Sequence, residues 1–219
     1  MTLLASTMIM NLATFSAETE QTGILALQDV DVQRGDFVLC QAVTTTLQAG
    51  DICHLIGENG LGKTTLLSQI AGLLPTATGQ IVRPNQMVYV SHQLGISTHL
   101  TVGQNLRFLL ALYGVACDDE QLEYALTQVG LQGLQDVSSV QLSAGQMRRI
   151  GLARLFVLQA DDAPLWLLDE PLTALDVAMV ARLEARIRRF ARDGGAVLMT
   201  SHQATNATNC TLDLAEFAL

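Results

Sequence analysis

Charged and aromatic side chains are scarce in this sequence of 219 residues, at 15% and 5% of the total. The charge is also unbalanced, because 12 basic residues face 21 acidic ones and the formal net charge is -9. Nucleic-acid binding requires clustered basic charge, so this balance argues against a nucleic-acid-binding protein. No run of about 18 or more apolar residues occurs, so no segment is expected to cross a bilayer as a helix. Hydrophobic residues nevertheless make up 49% of the chain, which predicts a surface that another subunit covers.

The four cysteines are widely spaced and include no C-x-x-C pair. They are Cys40, Cys53, Cys117 and Cys210. Such spacing is typical of reduced thiols in a cytosolic protein, rather than of a disulfide framework or a metal site.

The start of the chain has no lysine or arginine, and the first basic side chain is Arg34. Because a secretory signal peptide begins with basic residues, we expect residues 1–22 to be a disordered extension instead. The alternative is that translation starts at Met8 or Met10. Residues 23–219 are expected to form a single domain, in which residues 94–150 make a helical subdomain.

Short apolar runs alternate with helical patterns along the rest of the chain. The runs predicted as strands are 24–27, Ile52–Ile56, Met87–Val90, Leu165–Leu168 and 196–200. Helical spacing occurs at 64–72, 100–114, 118–130 and Val177–Arg192. Strands that alternate with helices are typical of an α/β fold with a parallel sheet and crossover connections.

A glycine-rich segment between the second strand and the first helix matches G-x-x-x-x-G-K-[ST] completely. It comprises Gly57, Glu58, Asn59, Gly60, Leu61, Gly62, Lys63 and Thr64, and Thr65 follows. Glycines allow successive backbone N–H groups to point at an anion, and the helix dipole adds to that attraction. We therefore expect this segment to bind the phosphates of ATP, with Lys63 on the β- and γ-phosphates and the Thr64 hydroxyl on Mg²⁺.

Two adjacent carboxylates follow the apolar run Leu165–Leu168. Asp169 is expected to lie at the carboxyl end of a buried strand, beside the phosphate loop, and to hold Mg²⁺ through water. Glu170 is then placed to act as the general base for the attacking water.

Two further polar residues follow strands at the same expected edge of the sheet. His202 is predicted to sense the γ-phosphate, although a lone histidine is often structural. Gln93 is predicted to contact Mg²⁺ and the attacking water and to connect them with the helical section.

A third motif is formed by Leu142, Ser143, Ala144, Gly145 and Gln146, followed by a basic helix that begins near Gln146. It resembles the LSGGQ signature of ABC ATPases. A serine hydroxyl, glycine amides and a helix N-terminus make a second anion site. One chain cannot fold both sites onto one γ-phosphate, so the signature is expected to serve the ATP of a second copy.

The resemblance to ABC ATPases covers residues 24–205 and implies a P-loop fold with an antiparallel β subdomain and a helical subdomain. It also implies that Asp176 belongs to the D-loop.

Less universal residues are similar to one family of ABC ATPases, the ATP-binding subunits of cytochrome c maturation, often called the haem exporter. The similar segments are 90–96, 100–108 and 141–155. This resemblance implies a CcmB-like integral membrane subunit and other maturation subunits as partners, and a peripheral position on the cytoplasmic face of the inner membrane. The implied task is haem export or release of a haem-loaded chaperone. An ABC transporter ATPase for another substrate is the alternative, and a soluble nucleic-acid-associated ABC ATPase is a more distant one.

The aromatic side chain that stacks on adenine in many ABC ATPases has no counterpart at the corresponding loop. Arg34 is expected to stack on the base instead, and Phe37 is the other candidate.

The helix Val177–Arg192 carries five arginines: Arg182, Arg186, Arg188, Arg189 and Arg192. We expect them to form a solvated face, rather than a lipid or partner contact, with Leu183, Ile187 and Phe190 as the buried stripe.

Overall fold

The structure is a computed structural model that describes residues 23–91, 95–202 and 205–219. The predicted extension at residues 1–22 and Gln93 lie outside the described residues.

An antiparallel sheet forms the first layer. Strands β1 (Leu25–Arg34) and β2 (Phe37–Leu47) make a hairpin that turns at Gly35, whose φ of 61° is readily adopted by glycine. Strand β4 (Gln80–Val82) pairs with the other edge of β1. The strand order is β2-β1-β4.

A parallel sheet forms the second layer, as the alternating pattern predicts. Its strands are β3 (Ile52–Ile56), β5 (Met87–Val90), β6 (Leu165–Leu168), β7 (Ala196–Met199) and β8 (Cys210–Asp213), in the order β5-β6-β7-β3-β8. Every residue of β6 and β7 is buried, because both faces of the sheet are covered. The carboxyl ends of β3, β6 and β7 therefore meet at one edge, where polar loops begin.

The helices are α1 (Lys63–Ile70), α2 (Val102–Ala111), α3 (Asp119–Gln128), α4 (Ala144–Ala153) and α5 (Val177–Arg192). Helices α2, α3 and α4 each begin with a capping box, in which a Thr, Asp or Ser side chain and a glutamine three residues later satisfy backbone N–H groups. The cap formed by Ser143 starts α4 at Ala144, two residues before the predicted start at Gln146. Short 3₁₀ turns occur at Ser139–Gln141, Arg154–Phe156 and Leu214–Phe217.

Apolar side chains bury both faces of the parallel sheet. One cluster packs the antiparallel sheet and α1 against one face of the parallel sheet. The other cluster packs the helices α2, α3, α4 and α5 against the opposite face. The predicted stripe of α5 is buried, and the Phe190 ring stacks on Trp166 with centroids 3.7 Å apart. The α/β fold with parallel and antiparallel sheets is thus confirmed.

One part of the α5 prediction is wrong, because Arg186 is buried rather than solvated. Its guanidinium donates to the carbonyls of Leu155 (2.7 Å) and Leu158 (2.5 Å), and it lies 5.2 Å from the Trp166 ring centroid. Carbonyls in and just after the preceding 3₁₀ turn therefore accept hydrogen bonds from Arg186. These bonds stabilise its charge inside the protein, although the helical pattern predicts that this side chain faces solvent. Within the described residues, no helix is long and apolar enough to cross a membrane.

Candidate active site

The phosphate loop connects β3 to α1, as the sequence predicts. Gly57, Gly60 and Gly62 have φ values of 144°, 91° and 102°, a region that other residues rarely adopt. A Cβ at Gly62 would lie 2.7 Å from Val32 Cγ1, so packing also excludes a side chain there. Among the residues that the structure describes, no side chain caps α1. Its first N–H groups are therefore available to an anion.

Lys63 lies across this loop and is the only lysine in the sequence. Its Nζ donates to the Gly57 carbonyl at 2.7 Å and to the Glu58 carbonyl at 3.1 Å. Phosphate oxygens are stronger acceptors than these carbonyls because they carry charge. The ammonium is therefore already positioned where a nucleotide phosphate would receive its hydrogen bonds.

Asp169 lies at the end of β6, opposite the start of α1. Its Oδ2 accepts from Thr64 Oγ1 at 2.9 Å, and its Oδ1 accepts from Thr200 Oγ1 at 2.8 Å. The Thr64 hydroxyl and the Asp169 carboxylate therefore lie side by side. Such a pair of oxygen ligands fits Mg²⁺ when phosphate oxygens and water complete the coordination of the ion. Among the described residues, no group of three His, Cys, Asp or Glu side chains could hold a metal without such help.

Glu170 is buried at 8% exposure and has a φ of 52°. A left-handed backbone costs a non-glycine residue about 1–3 kcal/mol, a cost that occurs mainly at functional sites. Its carboxylate Oε2 accepts from the Thr173 hydroxyl at 3.3 Å and from the backbone N–H of His202 at 3.2 Å. The carboxylate is thus oriented by its neighbours at the edge of the sheet.

The His202 side chain lies at the rim and is 64% exposed. Its Nε2 is 3.6 Å from Glu170 Oε1. The chain therefore places His202 beside Glu170, as the position after β7 predicts, and leaves its ring accessible.

Most of the predicted ATP-binding residues line one cavity of about 240 Å³. The lining residues are Arg34, Leu39, Asn59, Gly60, Gly62, Lys63, Thr64, Thr65, Asp169, Glu170 and His202. Three residues of the motif do not line it: the carbonyls of Gly57 and Glu58 accept from Lys63, and the Leu61 side chain packs against the core. A larger cleft of about 620 Å³ between α2 and α3 contains no part of the phosphate loop.

Ala144 and Gly145 of the signature line a different cavity of about 440 Å³, together with Thr173 and Ala174. Ser143 Oγ accepts from the Gln146 N–H at 3.2 Å, Leu142 packs against the core, and Ala144 and Gly145 are exposed. Among the described residues, none lines both cavities. The chain therefore presents the start of α4 outward and not to its own Lys63.

Asp176 caps α5 and also contacts the signature helix. Its Oδ1 accepts from the Met179 N–H at 2.8 Å, and its Oδ2 accepts from Arg149 Nη2 at 3.1 Å. The backbone N–H of Met179 and the charges of Arg149 and Arg182 hold the pKa of this exposed carboxyl below its usual value.

Three residues of the site are absent from the sequence-based prediction. The Thr200 hydroxyl accepts a hydrogen bond from the backbone N–H of Glu170 at 2.8 Å and donates one to the carboxylate of Asp169. Leu39 packs over Gly62, and the Arg148 guanidinium donates to the Glu170 carbonyl. Only Thr200 carries a signal in the sequence, because it is the first polar residue after a buried strand.

A phosphate loop, a strand that ends in Asp-Glu and a separate serine-capped helix define an ATPase of the ABC class. Residues 40–173 match the ABC transporter family. The chain is thus an ATP-hydrolysing subunit of an ABC transporter, and the fold implies nucleotide binding.

Curated relatives make the assignment narrower. The cytochrome c biogenesis ATP-binding export protein CcmA of Saccharophagus degradans is 39% identical over 210 residues, covering 87% of this chain and 93% of the relative. The proteins of the same name from Vibrio cholerae and Escherichia coli K12 are 39% and 38% identical, covering 85% and 84% of this chain and 94% and 91% of the relatives. The chain therefore belongs to the CcmA family.

Solved structures agree on the fold. A putative ABC transporter ATP-binding protein from Pyrococcus furiosus has a TM-score of 0.77 at 24% identity, covering 89% of this chain and 99% of that one. A dimeric ATP-binding cassette in a post-hydrolysis state with ADP and Pi has a TM-score of 0.74 at 21% identity, covering 87% and 94%.

Proposed function

We propose that this chain binds ATP with Mg²⁺ and hydrolyses it to power the exporter of cytochrome c biogenesis. The observation that carries the proposal is the 2.9 Å hydrogen bond between Thr64 at the start of α1 and Asp169 at the end of β6. It brings the phosphate-binding element and the hydrolytic element to one point.

Each residue has a distinct task in this mechanism. The loop N–H groups of residues 57–62 and Lys63 bind the phosphates. Thr64, Asp169 and Gln93 would hold Mg²⁺, which would supply positive charge beside the phosphates. Glu170 accepts a proton from the attacking water. His202, at the rim of the cavity, donates a hydrogen bond to the γ-phosphate. Gln93 lies outside the described residues, and its role rests on the family resemblance.

The active unit is a pair of chains. Because the start of α4 faces outward, Ser143, Ala144 and Gly145 are available to the ATP held by Lys63 of a second copy. Asp176 at the start of α5 is joined to the same helix by Arg149. Two ATP molecules would then be enclosed between two copies.

The membrane partner is an integral subunit of the CcmB type, with other maturation subunits, reached from the cytoplasmic face. Phe108 and Leu112 lie four residues apart, one on α2 and one just after it, and are 52% and 60% exposed. Residues four apart share a helix face, so they present an apolar surface for that subunit. The cargo is haem or a haem-loaded chaperone released by the complex.

The test has a binding arm and a turnover arm. An acyl-phosphate derivative of ATP acylates amines near the γ-phosphate, and Lys63 is the one lysine available. We expect ATP to protect Lys63 from acylation, measured by mass spectrometry, in the wild type and in Glu170→Gln alike. Glu170→Gln should lose about 10²–10⁴-fold in turnover, whereas Glu120→Gln on the exposed face of α3 should not. Turnover near the wild-type rate in Glu170→Gln would exclude this base.

The cargo is tested in cells. A strain that lacks its own relative of this chain should regain covalent c-type cytochromes, detected by haem staining, when the wild type is expressed but not when Glu170→Gln is. Recovery of transport of another solute without cytochrome c formation would favour an ABC transporter for a different substrate.

A further inference from the structure

The signature helix and the hydrolytic loop of the same chain are in direct contact through one side chain. Arg148 lies in the second turn of α4, five residues after the cap residue Ser143. Its Nη2 donates to the backbone carbonyl of Glu170. The helix that presents Ser143 outward therefore also contacts the residue that activates water inside.

The surroundings of Arg148 fit a guanidinium held in place. The side chain is half-buried, and burial lowers its pKa, whereas the charges of Asp169 and Glu170 raise it. An arginine in a protein remains charged. In the described part of the chain its Nε has no hydrogen-bond partner, so the bond from Nη2 to Glu170 fixes where the group lies.

The loop that receives this bond is strained. Glu170 and Ala174 have φ values of 52° and 60°, and neither is a glycine. Such backbone persists only where its surroundings hold it. Inside the loop, the Thr173 N–H donates to the same Glu170 carbonyl at 3.3 Å. Arg148 holds this carbonyl from outside the loop.

The neighbouring arginine contacts a different element. Arg149 Nη2 donates to Asp176 and its Nη1 to the Val129 carbonyl. Consecutive residues of a helix point to different sides, so Arg148 alone of this pair reaches Glu170.

We propose that Arg148 is a positioning residue for hydrolysis, which holds the Glu170 peptide and makes the alignment of the Glu170 carboxylate depend on the position of α4. This inference rests on the proposed function, in which the start of α4 contacts the ATP of the second copy. When α4 moves onto that ATP, the hydrogen bond between Arg148 and Glu170 transmits the movement to Glu170. Glu170 is the general base for the ATP bound by the phosphate loop of its own chain. Each site would thereby register whether the other is occupied.

The first measurement uses the full-length chain and steady-state ATPase kinetics. Loss of a hydrogen bond from a charged donor typically changes a rate by about 10- to 100-fold. We expect Arg148→Met to lower kcat by that factor and to leave KM for ATP within about 3-fold, because the phosphate loop is untouched. Arg148→Lys keeps a donor and should recover part of the loss. Arg189→Met, an exposed arginine on α5, is the matched control and should be unchanged.

A double-mutant cycle separates positioning of Glu170 from general damage. If Arg148 acts through Glu170, Arg148→Met should cause no further loss of single-turnover hydrolysis in a Glu170→Gln background, within about 2-fold. ATP protection of Lys63 should also be equal in the two backgrounds. A second loss of about tenfold in the double variant, or lost protection, would overturn the positioning role. Wild-type turnover by Glu170→Gln alone would instead overturn the proposed base and this inference with it.

Discussion

The hydroxyl of Thr200 donates to Asp169 Oδ1 at 2.8 Å and uses its lone pair to accept the backbone N–H of Glu170. One side chain at the end of β7 thus fixes both carboxylate residues at the end of β6. This arrangement is possible because the strands are parallel neighbours, with Leu168 paired to Met199. The loops that follow them leave the sheet at the same level.

Thr200→Val is expected to lower kcat because it removes both hydrogen bonds at nearly constant volume. A buried hydrogen bond to a charged group contributes about 1.5–3 kcal/mol, which corresponds to about 10- to 100-fold in rate. ATP protection of Lys63 should persist, because the phosphate loop belongs to α1. Thr200→Ser keeps the hydroxyl and serves as the control. Equal kcat values for the serine and valine variants would contradict this role.

Pairing of two chains can be tested by mixing two inactive variants. Lys63→Ala removes the phosphate contact, and Ser143→Arg blocks the signature. Because the two defects meet at the same composite site of a mixed dimer, the other composite site should remain intact. We expect ATPase activity from the mixture and none from either variant alone. Inactive mixed dimers, verified by tandem affinity purification, would argue for a site built within one chain.

Arg34 is expected to stabilise the adenine base, because it lines the phosphate cavity from the turn of the β1–β2 hairpin. Stacking of a guanidinium on a ring contributes about 0.5–2 kcal/mol. Arg34→Ala should therefore raise KM for ATP by about 3- to 30-fold with kcat little changed. Phe37, which is 77% exposed, is the alternative. A larger KM change in Phe37→Ala than in Arg34→Ala would assign the base contact to the phenyl ring.

Phe108→Glu is expected to weaken attachment to the membrane subunit, because it introduces charge into the apolar surface of Phe108 and Leu112. Fractionation of cells that express both subunits should move the variant from the membrane pellet to the supernatant. ATP protection of Lys63 should remain. Leu219→Glu alters another exposed apolar residue and controls for added charge. Retention of Phe108→Glu in the pellet at the wild-type yield would place the docking surface elsewhere.

Local pattern determined much of this protein. The bounds of β3, β5 and β6 were predicted from their continuous apolar runs, and those of α5 from its apolar spacing. The start of α4 was misplaced by two residues because the Ser143 cap, not the basic run, begins the helix. The phosphate motif also predicted the turn at residues 57–62, since glycine positions there are dictated by backbone conformation.

The buried charges and the second layer of the site could not be predicted in the same way. Arg186 occurs in a helical pattern that suits a solvated face, and only the carbonyls of Leu155 and Leu158 make its burial favourable. Nothing in the sequence around Arg148 distinguishes it from Arg149, yet the packing of α4 directs one to Glu170 and the other to Asp176.

The sequence by itself determined which residues can bind phosphate, accept a proton and cap helices, because these properties depend on residue type and on neighbours a few positions away. The tertiary structure alone decided which of them meet. Thr64, Asp169, Thr200 and Arg148 are far apart along the chain, and they converge because parallel strands bring their carboxyl ends to one edge. Their hydrogen bonds arise from strand order and helix packing, which no local spacing records.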